Sequence, residues 1–157
     1  MTPLHEVIIN NKTTINPVWI MRQAGRYLPE FKEIRKKNPN FIELCLNHKL
    51  SSEITLQPIK RFDLDAAIIF SDILMLPYGL NQKVEFKKNF GPTLGNLDIK
   101  SMSKIDEIDF VEKIYPVYKA IKSVSLEMNS KNKNTIGFVG APWTLLVYMI
   151  NQQSPKK

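Results

Sequence analysis

Cysteine occurs once in this chain, at position 45, so no disulfide can form within it. That fits a reducing compartment and leads to the expectation of a cytosolic protein. Long hydrophobic runs are also missing. The best candidate, 66–76, is interrupted by Ser71-Asp72 and falls well short of the roughly 20 apolar residues a membrane-spanning helix needs. Met1 to Asn11 carries neither a positive n-region nor an apolar h-region, so no secretory signal is expected there. Histidine occurs twice, and Cys45 with His48 has no second pair of ligand residues nearby, so no metal site is expected. Arginine is scarce: four of the 22 basic residues are Arg22, Arg26, Arg35 and Arg61, and the rest are lysines.

What is present describes a globular chain. Its 157 residues suffice for one ordinary domain and not for two, and 43% hydrophobic with 24% charged residues puts a buried core within reach. The net charge of +7 and a pI near 9.5 invite a nucleic-acid reading. The lysines, however, are scattered, the 13 asparagines beside them fit a compositional bias of the genome, and no recognition motif or aromatic-basic stripe is present. No nucleic-acid partner and no membrane association are expected. The placement of arginine is more informative, since two of the four fall within five residues.

The apolar pattern alternates between two periods. Pro17–Met21 is short, apolar and followed by a Gly-containing turn, which predicts a first strand. Helices are predicted from Pro29 to the stop at Asn38-Pro39, around Phe41–Cys45, and from Leu50 to Phe62 with a kink at Pro58. Ala66–Phe70 is a continuous apolar run, as in a strand buried on both faces. Val84-Glu85-Phe86 through Gly91-Pro92 and Gly95 suggests a small hairpin or an excursion. A helix over Asp109–Met128 with a break near Tyr115, ahead of Pro116, is followed by a third strand, Thr135–Val139, and a helix from Pro142 to Ile150. The order implies α/β with a parallel sheet, and periodicity alone leaves a doubly wound sheet and a (β/α)8 barrel both open. In either architecture functional residues gather where the chain leaves the strands.

Those exits are Arg22-Gln23-Ala24-Gly25-Arg26-Tyr27, Ser71-Asp72, and Gly140-Ala141-Pro142-Trp143. Arg22 and Arg26 suit an anionic ligand with several carboxylates, because a guanidinium binds a carboxylate in a fork and never loses its charge. The alternative is a pair of bridges to Glu30 and Glu33. Asp72 ends an apolar strand, where a carboxylate needs partners. A ligand with N–H donors or cationic character would supply them, and so would service as a helix N-cap. Tyr148 lies on the helix after the third strand, directed toward a ligand, into core packing or into a subunit contact.

Three blocks carry a resemblance. Pro17-Val18-Trp19-Ile20-Met21-Arg22-Gln23-Ala24-Gly25-Arg26-Tyr27-Leu28-Pro29-Glu30 resembles the N-terminal signature of uroporphyrinogen decarboxylases. Asp65-Ala66-Ala67-Ile68-Ile69-Phe70-Ser71-Asp72-Ile73-Leu74 resembles the second strand and acidic loop of that family, and Gly137 to Leu145, with Tyr148 just beyond, its third block. The resemblance runs from Pro17 to Ile150 and implies the first three βα units of a (β/α)8 barrel, incomplete in this chain, so that 1–157 forms a single partial domain. It implies a homodimer without metal or organic cofactor that removes carbon dioxide from the four acetate arms of uroporphyrinogen III. The product is coproporphyrinogen III, on the route to haem. By motif match Arg22, Gln23, Ala24, Gly25 and Arg26 line the substrate loop, Asp72 is the essential aspartate facing the pyrrole N–H groups, and Tyr148 contacts substrate. The resemblance thereby places Asp72 and Arg22 in the chemistry.

The family's chains are about twice as long, because its barrel needs eight strands. Its later substrate-binding residues, a hydroxyl-bearing one and a histidine among them, have no counterpart here. The stretch Asn151–Lys157 also departs from the Gly- and Ser-rich loop expected after this helix. A truncated or split reading frame is the expectation these departures raise. The competing reading is a non-catalytic fragment or interaction module of the same fold.

Overall fold

A computed structural model describes residues 1–21, 27–87 and 90–154. Before the first strand come four helices: α1 (Pro3–Ile8), α2 (Pro29–Lys37), α3 (Phe41–Leu46) and α4 (His48–Phe62). Strand β1 (Ala66–Ile68) leads into α5 (Met75–Gly79), then β2 (Val84–Lys87) and β3 (Gly91–Leu94). The remainder is α6 (Ile99–Met102), α7 (Glu107–Ser130), β4 (Asn134–Ile136) and α8 (Pro142–Asn151). The chain is α/β with two small sheets, one a parallel pair β1–β4 and the other an antiparallel pair β2–β3.

Local chemistry starts the helices. Pro29 occupies the first turn of α2, where a missing N–H costs nothing, and Arg35, Lys36 and Lys37 crowd its negative end. Asn40 Oδ1 accepts from the amides of Ile42 and Glu43, while its Nδ2 donates to Glu43 Oε1 at 2.8 Å, a reciprocal cap on α3. Asn47 caps α4 and Asp106 caps α7 through the amides of Leu50 and Asp109. At the far end of α4, Asp63 takes the left-handed conformation with φ 50°. Lys133 secures it, with Nζ donating to Asp63 Oδ1 at 2.8 Å and to the Leu64 carbonyl at 2.7 Å. This contact holds the Asp63 carboxyl below its ordinary range.

The sheet is short. Ala66, Ala67 and Ile68 stand opposite Asn134, Thr135 and Ile136, and Ile69 N–H donates the last ladder bond to the Ile136 carbonyl at 3.1 Å. The expected strands at 66–70 and 135–139 are therefore each realised as three residues. On one face Ala67 and Ile69 meet Leu56 and Ile59 of α4 and the Ala120, Val124, Met128 stripe of α7. A second cluster joins Leu28, Phe31, Cys45, Ile54, Phe70 and Leu74 to Leu145 and Met149 of α8.

Two expectations are corrected. Pro17–Met21 is not a strand. Val18 lies beside Asp65, whose N–H donates to the Val18 carbonyl at 2.9 Å. The Val18 amide goes instead to the carboxylate, Asp65 Oδ2, at 2.7 Å, so a side chain takes the bond that a neighbouring strand's carbonyl would accept. The break near Tyr115 is also absent: α7 runs through Pro116, with Ile114 buried before it and Ala120 after it. The carbonyl deprived by Pro116 belongs to exposed Glu112, where water can satisfy it. Of the two readings of 84–95, the hairpin is the one that forms.

Helix α8 is apolar on more than one side. Leu145 and Met149 are buried, whereas Trp143 is 75% exposed, with Leu146 and Ile150 along the same stripe. Phe138 and Val139, leaving β4, are exposed beside this helix in sequence, and so are Val18, Ile20 and Met21 in the segment that meets Asp65. A surface of this kind predicts self-association. The chain alone should elute from a sizing column above its monomer mass and bind a hydrophobic dye, and Val139→Lys with Trp143→Glu should shift it toward monomer. A monodisperse, dye-silent chain would contradict this. The Asp65 contact makes a separate prediction. Asp65→Ala should raise amide exchange at Val18 about tenfold, the size expected for losing one hydrogen bond to a charged group. Asp65→Asn, which keeps an acceptor oxygen, should raise it less.

Candidate functional site

The chain leaves β1 through Ile69, Phe70 and Ser71 to reach Asp72. Ladder pairing has ended by Phe70, and its backbone is taken over by α4. Phe70 N–H donates to Thr55 Oγ1 at 2.8 Å, and the Phe70 carbonyl accepts from Ser51 Oγ at 2.6 Å. The Phe70 ring is held edge-on by Phe31 and Phe41, with centroids 5.9 and 5.6 Å away. Asp72 is half-buried. Its Oδ1 accepts from the Leu74 amide at 2.9 Å, and its carbonyl accepts from Met75 N–H at 3.1 Å. This is an Asx turn leading into α5, anchored by Leu74 and Met75, both buried in the core. The N-cap role foreseen as one alternative for Asp72 is corrected: the cap position of α5 is Leu74, which has no side-chain cap bond, and Asp72 makes its turn two residues earlier.

The third exit packs against the second. A Cβ placed on Gly140 would lie 2.7 Å from Leu145 Cγ and 3.1 Å from Ile73 Cβ. Only glycine lets the segment after β4 come this close to the residue following Asp72. Tyr148 is half-buried against the core cluster, and its hydroxyl lies 3.3 Å from Ser154 Oγ. The packing role foreseen for it is therefore real, and its hydroxyl sits at the outer end of that contact.

Arg22, Gln23, Ala24, Gly25 and Arg26 lie outside the described residues. Glu30, one of the acids named as an alternative partner for the two arginines, is held in a fork by Arg61, with Nε donating to Oε1 at 3.1 Å and Nη2 to Oε2 at 2.9 Å. That hydrogen bonding draws the Glu30 carboxyl below the usual carboxylate range. The negative charge of Asp72 is felt at Cys45, whose thiol is pushed up chiefly by complete burial, then by Asp72, with Arg35 acting in the opposite sense. A groove of about 450 Å³ between α3 and β2 is lined by Phe41, Leu46, Tyr78 and Phe86, and by neither Asp72 nor Tyr148.

Sequence reasoning missed Asp65, Ser51, Thr55 and the close approach at Gly140. A signal for the hydroxyls was present: Ser51 and Thr55 are one turn apart on the apolar face of α4, where a buried hydroxyl must find a partner. Asp65 carried no comparable signal, since an acid before a strand is ordinarily solvated.

The chain matches the family model described as uroporphyrinogen decarboxylase over residues 1–157. It is 46% identical over 144 residues to a uroporphyrinogen decarboxylase of Agrobacterium fabrum, covering 91% of this chain and 42% of that protein. Against the uroporphyrinogen decarboxylase of Rickettsia canadensis the identity is 49% over 134 residues, covering 85% and 39%. For that of Campylobacter jejuni it is 45% over 146 residues, covering 92% and 43%. The chain thus spans about two fifths of the length of the curated relatives it matches. With a match running along every residue, the chain belongs to the uroporphyrinogen decarboxylase family.

Proposed function

We propose that this chain supplies the first three βα units of a (β/α)8 barrel that decarboxylates uroporphyrinogen III to coproporphyrinogen III. The observation that carries this reading is Asp72, held at the exit of β1 by a defined turn, in a chain of this family. Adjacent parallel strands β1 and β4, with Val18 flanking β1 on the Asp65 side, support the barrel. The expectation of a single partial domain over 1–157 and of a cytosolic homodimer working without metal or organic cofactor travels with this reading.

Each of the four acetate arms loses carbon dioxide and gains a proton, ending as a methyl group. Direct loss would strand an electron pair on the arm's methylene carbon. Protonation of the electron-rich pyrrole first makes a cationic ring that accepts that pair, and a second proton at the methylene carbon completes the methyl while the ring returns its own. Asp72 faces the ring N–H groups and stabilises the cation, most effectively in a site closed to water. Arg26 holds substrate carboxylates. Arg22 holds the reacting arm and organises the incoming proton without releasing its own, because a guanidinium is far too weak an acid at neutral pH. Gln23, Ala24 and Gly25 shape the same loop, and Tyr148 approaches substrate from α8.

The exposed apolar stripe on α8 favours this reading over a free-standing interaction module, since it is a surface that further barrel units would cover. The test joins the chain to the part of the Campylobacter jejuni relative that it does not cover and follows coproporphyrinogen formation. The joined protein should turn over and the chain alone should not. An active isolated chain, or an inactive but well-folded joined protein, would sink the proposal.

Two substitutions in the joined protein probe the roles. Asp72→Asn should lower kcat by about 100-fold, the loss seen when one preorganised charge-stabilising group is removed, with the melting temperature little changed. Arg26→Lys keeps charge and loses the fork, so KM should rise about tenfold while stability stays within about 1 kcal/mol. Collapse of stability with KM intact would make the arginine loop structural.

A further inference from the structure

The structure assigns to Ser51 and Thr55 the task of positioning the Asp72 carboxylate, an inference that rests on the reading of Asp72 as the group facing substrate. Ser and Thr are poor choices for a helix interior, and both are 1% exposed on the buried side of α4. Valine and alanine would fill the same space without bringing hydroxyls that need partners. The two side chains close a cycle of hydrogen bonds instead. Thr55 Oγ1 accepts from Phe70 N–H and donates to the Ser51 carbonyl at 2.7 Å, while Ser51 Oγ donates to the Phe70 carbonyl. Phe70 thus receives from a helix both bonds that another residue of ladder would have supplied.

The location gives this cycle its purpose. Strand β4 provides its last ladder carbonyl to Ile69. Beyond it the chain must turn into the Asp72 loop, away from the sheet. Fixing the peptide groups on both sides of Phe70 leaves Ser71 as the one residue between the clamp and Asp72. On the other side, Leu74 and Met75 are buried and their amides donate to Asp72 itself. The carboxylate is therefore held from both directions, by α4 before it and by its own turn after it. A reacting-site group set loose by a fraction of an ångström loses much of its electrostatic effect, since that effect depends on prior orientation.

Thr55→Val keeps the shape and removes the hydroxyl, and Thr55→Ser keeps the hydroxyl and removes a methyl group. In the chain itself, residue-level hydrogen exchange should show Thr55→Val releasing the Leu74 amide, which reports the Asp72 turn, while Val124 in α7 keeps its protection. Thr55→Ser should restore Leu74. In the joined protein, Thr55→Val should lower kcat roughly ten- to hundredfold with KM changed much less, and Ser51→Ala should act in the same direction. Unchanged exchange at Leu74, or Leu74 and Val124 loosening together, would overturn the assignment. So would a normal kcat in Thr55→Val, or failure of Thr55→Ser to restore what Val removes. The Asp72→Asn variant run alongside separates the two levels. If that variant supports full turnover, the decarboxylase role of this aspartate is wrong whatever Thr55 does. If it abolishes turnover while Thr55→Val leaves turnover normal, the aspartate role stands and the hydroxyl pair is structural.

Discussion

Three segments far apart in sequence meet at Asp65. Its N–H reaches the Val18 carbonyl, its carboxylate takes the Val18 amide, and its own carbonyl accepts from Asn134 N–H at 3.0 Å. The sheet begins at the next residue, Ala66, so the register of β1 against β4 and the path of the chain toward the arginine loop share this origin. A carboxylate suits the position because it can accept a backbone amide without needing the strand that Pro17–Met21 does not form.

From that origin two layers are built. Small residues let them approach: Ala66, Ala67 and Ala120 are fully buried, and α4 and α7 close on the sheet across them. The second cluster lies toward α2, α3 and α8, with the aromatic rings of Phe31 and Phe41 meeting Phe70 edge to face. Phe70 belongs to both the packing of this cluster and the hydroxyl clamp. The loop carrying Asp72 therefore rests on buried, interlocked side chains.

Much of this was legible in the sequence, and the exceptions have physical causes. Helices α2, α3, α4 and α8, whose starts are marked by proline or asparagine, lie within a few residues of where their apolar patterns put them. The hairpin followed from its β-forming run and Gly91. Pro116 misled because a single lost bond on the solvent side is outweighed by burial on both sides of it. The apolar run at 66–70 overstated β1 because continuous hydrophobicity reports burial, and burial here extends past the ladder into the clamp from α4. At the site, it was readable that Asp72 follows a strand and that Tyr148 rides on the last helix. For the hydroxyls that fix Phe70 ahead of Asp72, the sequence signals only that Ser51 and Thr55 need partners, because a partner 15 or 19 residues away leaves no local trace. The short helices α1 and α6 were likewise invisible, being one or two turns each with too few residues to show a period, and α5 showed only as the helix that Asp72 would cap.

Helix α8 is docked by bonds that come from the hairpin region. Gln82 Nε2 donates to the carbonyls of Gly95 and Met149, at 2.8 and 3.1 Å, and the Leu94 amide donates to the Gln152 carbonyl at 2.7 Å. These bonds divide into local and distant ones. The hairpin and the Gln82–Gly95 bond lie within residues 82–95, whereas the second bond of Gln82 reaches Met149, 67 residues away. The hairpin is thus a prepared berth, assembled from local contacts, that receives a helix whose own sequence gives it two apolar faces and no instruction as to which one to bury. The berth settles that choice: Leu145 and Met149 are buried against it, and Trp143, Leu146 and Ile150 stay exposed.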